Sequence, residues 1–153
     1  MTGSAPAAHN PSNCQPEAFL NLQRTADALA RDLSELLKRA ELSLTQYNVL
    51  RILRGAGDMG LSCGEIAGWM VTHDPDITRL LDRLDRRGLI TRTRERHDRR
   101  VARTRITAEG LRLVGSFDQE VAALHEQQLG HLGVRRLRTL IDLLESAREK
   151  TGA

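Results

Sequence analysis

The sequence predicts a mainly α fold that carries one small β-hairpin. Three observations predict it. Leucine supplies much of the apolar content of a 153-residue chain in which aromatic residues make up only 3%, and that bias favours helix packing over sheet. Apolar residues recur at spacings of three and four in the first and last parts of the chain, which is the period of a helix face. Between them, residues 90–94 and 101–106 are two short runs carrying Thr, Ile and Val and separated by a polar, charged turn, the pattern of a hairpin. The length suits one domain with its own core.

Residues 1–15 are small, polar and proline-rich, with nothing to bury, and are expected to be a disordered tail ahead of a single domain over 16–153. From Pro16 to about Ala40 a helix is expected, with Leu22, Ala26, Leu29, Leu33 and Leu36 forming a seam like that of a coiled coil. Thr45 stands as the N-cap of a second helix, which Tyr47, Val49, Leu50, Ile52 and Leu53 carry to the break at GAGDMG. A short extended piece around Met59 to Leu61 leads into Ser62-Cys63-Gly64-Glu65, a capping box ahead of Ile66, Ala67 and Met70.

Asp74 followed by Pro75 is a start signal for a fourth helix that runs to Arg87, with Gly88 placed to end it. In that helix Ile77, Leu80, Leu81 and Leu84 share a buried stripe, and Arg79, Arg83 and Arg86 form an outward one. Asp82 and Asp85 stand beside these arginines and can pair with some of them, so the helix by itself also fits an ordinary solvated face. The hairpin that follows decides the order: helix, turn, second helix with a basic stripe, basic hairpin. That is the order of a winged helix-turn-helix.

After the hairpin, Thr107 is the expected N-cap of a long helix stepping through Val114, Phe117, Val121 and Leu124. The break LGHLG follows, and a last helix presents Val134, Leu137, Leu140, Ile141 and Leu144. The seams of the first helix and the last two need partners. A helical homodimer supplies them; packing within the chain is the alternative.

The formal net charge is only +3, but it is unevenly spread. Eleven arginines stand against Asp82, Asp85, Glu95 and Asp98 between Arg79 and Arg105, so this stretch is strongly basic and the remainder mildly acidic. A concentrated basic footprint of this kind suits a polyanion. No constellation supports catalysis: there is no G-x-S-x-G and no phosphate-binding loop. His9, His73, His97, His125 and His131 are scattered without metal-ligand spacing, so neither a metal nor a cofactor is expected. Cys14 and Cys63 suit a reducing compartment rather than a disulfide framework. No signal segment and no membrane-length apolar run is visible, so a cytoplasmic location is the expectation.

Two stretches carry a family likeness: LSLTQYNVLRIL, and ITRLLDRLDRRGLITRTRERHDRRVARTRITAEG. The run T-R-L-x-D-R-L-x-x-R-G-L, the D-x-R in the hairpin and the T-x-x-G after it resemble the MarR family of bacterial and archaeal transcription regulators. The likeness covers about Leu42 to Gly110, with flanking helices of matching length and order.

The resemblance implies a winged helix-turn-helix over 42–107 inside a homodimer made by helices at 16–40 and 108–150. Residues 75–87 would be the recognition helix, with Thr78, Arg79 and Arg83 meeting the major groove or backbone of double-stranded DNA. In the wing, Asp98 would brace the turn, Arg99 would touch phosphate and Arg100 would enter the minor groove. Asp76 would accept a hydrogen bond from cytosine or favour the helix N-terminus. The family implies a repressor that leaves a pseudo-palindromic operator when a small aromatic or phenolic effector binds. Some members instead sense oxidants through a cysteine in the first helix, and Cys14, just ahead of that helix, is the candidate here. A protein-binding winged-helix module without a DNA role is the reading from another class.

Overall fold

Over residues 14–72, 76–94 and 102–151, which the computed structural model describes, the chain is helical apart from one hairpin. Its order is α1 (Gln15–Leu37), α2 (Leu44–Ala56), α3 (Cys63–Trp69), α4 (Ile77–Arg86), β1 (Ile90–Arg94), β2 (Ala102–Ile106), α5 (Ala108–Gly115), α6 (Asp118–Leu129) and α7 (Gly133–Thr151). The expected fold class is the observed one. The strands pair antiparallel from Ile90 opposite Ile106 to Arg94 opposite Ala102.

Capping side chains set most of the helix starts, because the first turn of a helix leaves backbone N–H groups without partners. Ser43 caps α2: its hydroxyl accepts from the Gln46 N–H at 3.1 Å and the Gln46 side chain accepts from the Ser43 N–H at 3.0 Å. Thr45 is therefore not the cap; Ser43 can reciprocate with a glutamine three residues on, and Thr45 only joins its hydroxyl. The box expected at Ser62 and Glu65 is present at the head of α3. The cap expected at Asp74 lies outside the described residues, and α4 starts instead under Asp76, whose carboxylate accepts the Arg79 N–H. Met59 ends a turn of 3-10 helix, and Leu61 touches β2 only through a bridge to Thr104, so the expected extended piece reduces to one residue pair. The single long helix expected after Thr107 is two: α5 stops at Gly115, and Ser116 and Phe117 form a turn ahead of α6.

One core holds the middle of the chain. Val49, Leu50 and Leu53 of α2 share it with Ile66 of α3, Leu81 and Leu84 of α4, and Val114 and Phe117. The end of α1 joins this core through Leu37. Tyr47 and Phe117 stack edge to face with centroids 6.2 Å apart, and burial pushes the Tyr47 hydroxyl above its ordinary pKa.

At the end of α4, Gly88 takes φ +69°, the Gly88 N–H donates to the Asp85 carbonyl and the Leu89 N–H to the Leu84 carbonyl. This pair of bonds reverses the chain from helix to hairpin, and a left-handed residue is its requirement. The end of α1 turns the same way at Glu41, with φ 50° in a residue that carries a side chain. Arg87 fixes that turn by donating to the carbonyls of Glu41 at 2.9 Å and Ala40 at 2.8 Å. Both bonds use backbone oxygens, so Glu41→Gly keeps them and removes the left-handed strain. We expect it to stabilise the protein by about 0.5–1 kcal/mol, after the extra unfolded-state entropy of glycine. A melting temperature unchanged or lower would show that the turn is unstrained.

α7 is placed differently. Its principal neighbour within the chain is the turn at 130–132, and it adds no residue to the core. Phe19 of α1 is 60% exposed, and Ile141 and Leu143 of α7 are 51% and 64% exposed. Between α1, α6 and α7 lies a cleft of about 1000 Å³, lined by apolar residues such as Leu22, Leu29, Leu137 and Ile141.

Candidate nucleic-acid interface

The basic segment is mounted on a rigid support. Leu80, Leu81 and Leu84 sink one face of α4 into the core, which turns Thr78, Arg79, Arg83 and Arg86 to solvent. β1 leaves α4 after a three-residue turn, so the hairpin lies against the C-terminal end of that helix.

Several arginines of the basic hairpin hold it in place. Arg92 of β1 pairs with Asp82 of α4 at 2.6 Å, and only 27% of its side chain is exposed. Asp82 therefore serves the hairpin rather than the arginine stripe of its own helix. Arg103 of β2 reaches Glu65 of α3 at 2.7 Å. The backbone N–H of Ser62, then its hydroxyl, then Arg103 hold the Glu65 carboxyl below its ordinary pKa. Arg105 donates to the Asp58 carbonyl at 2.7 Å and to the Thr93 hydroxyl at 2.8 Å. These bonds tie both strands to α3, α4 and the turn after α2, so the hairpin moves with the helix pair.

Thr107 completes the mount. Its hydroxyl accepts from the Gly110 N–H at 3.0 Å and donates to the Gly88 carbonyl at 2.7 Å, and its N–H donates to the Leu89 carbonyl at 3.1 Å. One residue thus caps α5 and closes the turn after α4. Gly110 sits where a Cβ would press on the Leu89 carbonyl and the Ile106 side chain, which gives the T-x-x-G run its structural reason.

Among the described residues, the side chains of Arg83, Arg86 and Arg94 make no ion pair or hydrogen bond. Arg79 is 74% exposed and meets Asp76 across 3.5 Å. The structure thus brings Thr78, Arg79 and Arg83 onto one exposed face, with Asp76 at its head. Asp98, Arg99 and Arg100 lie outside the described residues, between the ends of β1 and β2. Cys14 is exposed immediately before α1, and Cys63 is half-buried at the first position of α3. No cluster of three metal-ligating side chains occurs among the described residues, and no described helix is long and apolar enough to cross a membrane.

The anchoring role of Arg87, Arg92, Arg103 and Arg105 is what the sequence reading missed. Strand alternation does not reveal it, since Arg92 stands opposite Thr104 and so on the other face from Arg103 and Arg105, and Arg87 lies in no strand.

The MarR family model matches residues 42–102, the span from α2 to the start of β2. A MarR transcription factor from Planctomyces limnophilus, known by its crystal structure, is 44% identical, with a TM-score of 0.66 over 85% of this chain and 94% of that one. The HTH-type transcriptional regulator TtmR of Methylorubrum extorquens is 30% identical over 94% of this chain and 72% of its own length. A MarR variant from E. coli, solved in complex with operator DNA, is 25% identical with a TM-score of 0.77 over 86% of this chain and 93% of that one. With α3, α4 and the hairpin in that shared order and a likeness that runs nearly end to end, the chain belongs to the MarR family of transcription regulators.

Proposed function

We propose that the protein is a homodimeric, sequence-specific DNA-binding repressor that leaves its operator when a small aromatic or phenolic effector binds. The observation that carries the DNA reading is the exposed basic face of α4 beside a hairpin tied by ion pairs to α4 and α3. Thr78, Arg79 and Arg83 meet base edges and phosphates in the major groove, where the planar fork of arginine matches guanine and phosphate. In the wing, Asp98 braces the turn, Arg99 contacts phosphate and Arg100 enters the minor groove. The effector and the sign of regulation rest on the family resemblance alone.

The dimer reading rests on α7, an amphipathic helix that leaves Ile141 and Leu143 exposed and packs chiefly on the turn at 130–132, and on the cleft beside it. A two-fold dimer sets its recognition helices about 34 Å apart and so reads an imperfect palindrome.

Fluorescence anisotropy with the DNA upstream of the protein's own gene tests the reading across a salt series. Affinity is expected to fall steeply between about 50 and 200 mM salt, as phosphate contacts release counterions. Arg100→Ala is expected to weaken binding by about 1–3 kcal/mol with the melting temperature unchanged, because a contact made only to DNA adds nothing to folding. Full affinity in that variant removes Arg100 from the interface. Absence of binding both to the upstream region and to a random genomic library sinks the DNA reading.

A further inference from the structure

The first turn of α4 holds one carboxylate against one guanidinium. Asp76 Oδ1 accepts the Arg79 N–H at 3.3 Å, and Asp76 Oδ2 lies 3.5 Å from Arg79 Nε. Both oxygens of Asp76 therefore engage Arg79, one through its backbone and one through its side chain. Among the described residues, the Nη1 and Nη2 of Arg79 make no hydrogen bond or ion pair. The guanidinium thus has a carboxylate oxygen near Nε, as an ion pair without a hydrogen bond, and its terminal nitrogens are open.

The placement of a carboxylate here needs a reason. Asn or Ser would cap the helix about as well as Asp without bringing a negative charge to a face that meets phosphates, and the helix dipole favours a carboxylate there by less than about 1 kcal/mol at an exposed site. In open water an exposed pair at this distance adds little to stability. Its value changes when a duplex docks and water leaves: Arg79 can then offset the repulsion between Asp76 and phosphate, which strengthens the pair. A guanidinium gripped at Nε then presents its two terminal nitrogens as a fixed pair, the spacing that guanine O6 and N7 accept.

We infer that Asp76 is a positioning residue for base readout, aiming Arg79 at a guanine in each half-site rather than touching a base itself. This rests on the DNA-binding reading above. Selection from a double-stranded library with a randomised core, using the full chain, tests it with four proteins: the natural one, Asp76→Asn, Arg79→Ala and the double variant. The natural protein is expected to fix a guanine at one position per half-site, and Arg79→Ala to lose it. Asp76→Asn keeps the cap, so its melting temperature should hold while its preference for that guanine over adenine falls about 3–10-fold. In the Arg79→Ala background the same change should do nothing further, which a purely structural role would not produce.

Unchanged guanine preference in Asp76→Asn overturns the inference. So does a shift at a cytosine position that persists without Arg79, since Asp76 would then read a base directly. If the natural protein selects no motif, the DNA reading has itself failed, and that shows before any substitution is compared.

Discussion

Ile141→Asp is expected to convert the protein to a monomer and to weaken operator binding about 100-fold or more. Ile141 sits on the exposed face of α7 and lines the cleft between α1, α6 and α7. Burial of such a side chain in a partner's helices is worth about 1.5–3 kcal/mol, and a carboxylate there would be left without a partner. Two-fold symmetry places the substitution in the interface twice. The core around α2 draws nothing from α7, so the lobe that carries α4 should stay folded in the monomer. The loss of affinity then comes from losing the second half-site, since two tethered sites bind far more tightly than one. Light scattering coupled to size exclusion gives the mass, and circular dichroism checks the helices. A variant that stays dimeric at micromolar concentration would place the interface elsewhere.

Gly110→Ala is expected to destabilise the fold by about 3 kcal/mol, the upper part of the range for overpacking. An added Cβ would lie closer than 3 Å to the Leu89 carbonyl oxygen and 2.7 Å from Ile106 Cγ1. Neither neighbour can yield cheaply. The Leu89 carbonyl accepts the Thr107 N–H, and Ile106 is the last residue of β2, paired with Ile90. Relief would have to part α5 from the hairpin root and disturb the mount that sets the wing beside α4. At this chain size the change corresponds to a fall of roughly 6–12 °C in melting temperature, compared at equal protein concentration. Gly115→Ala is the contrast: nothing lies within 4 Å of the added Cβ, and the residue is exposed near the end of α5. It should be neutral or stabilising by about 0.5–1 kcal/mol through helix propensity. Equal effects at the two glycines would refute the steric account.

The elements legible in the sequence are those whose signals are local. The box at Ser62 and Glu65, the reversal at Gly88 and the cap at Thr107 each need partners only a few residues away, and each stands as expected. Errors arose where two residues competed for one local role. Ser43 outcompeted Thr45 because Gln46 reciprocates with it, and Asp76 heads the described part of α4 two residues after the expected start. The break between α5 and α6 escaped notice because Val114, Phe117 and Val121 keep a helical spacing across it, and the burial of Phe117 in the core is a long-range event.

The sequence by itself determined a mainly α chain with a basic helix followed by a basic hairpin, and a run of motifs specific enough to name the family. Period, caps and charge order are written in neighbouring residues, and neighbouring residues are enough to set them. Only the tertiary structure decided which arginines are available to a partner. Arg92, Arg103, Arg105 and Arg87 are held by groups 10, 38, 47 and 46 residues away, while Arg79, Arg83 and Arg86 stay on the open face of α4. No local pattern carries that distinction, because an arginine is freed or engaged by what folding brings beside it.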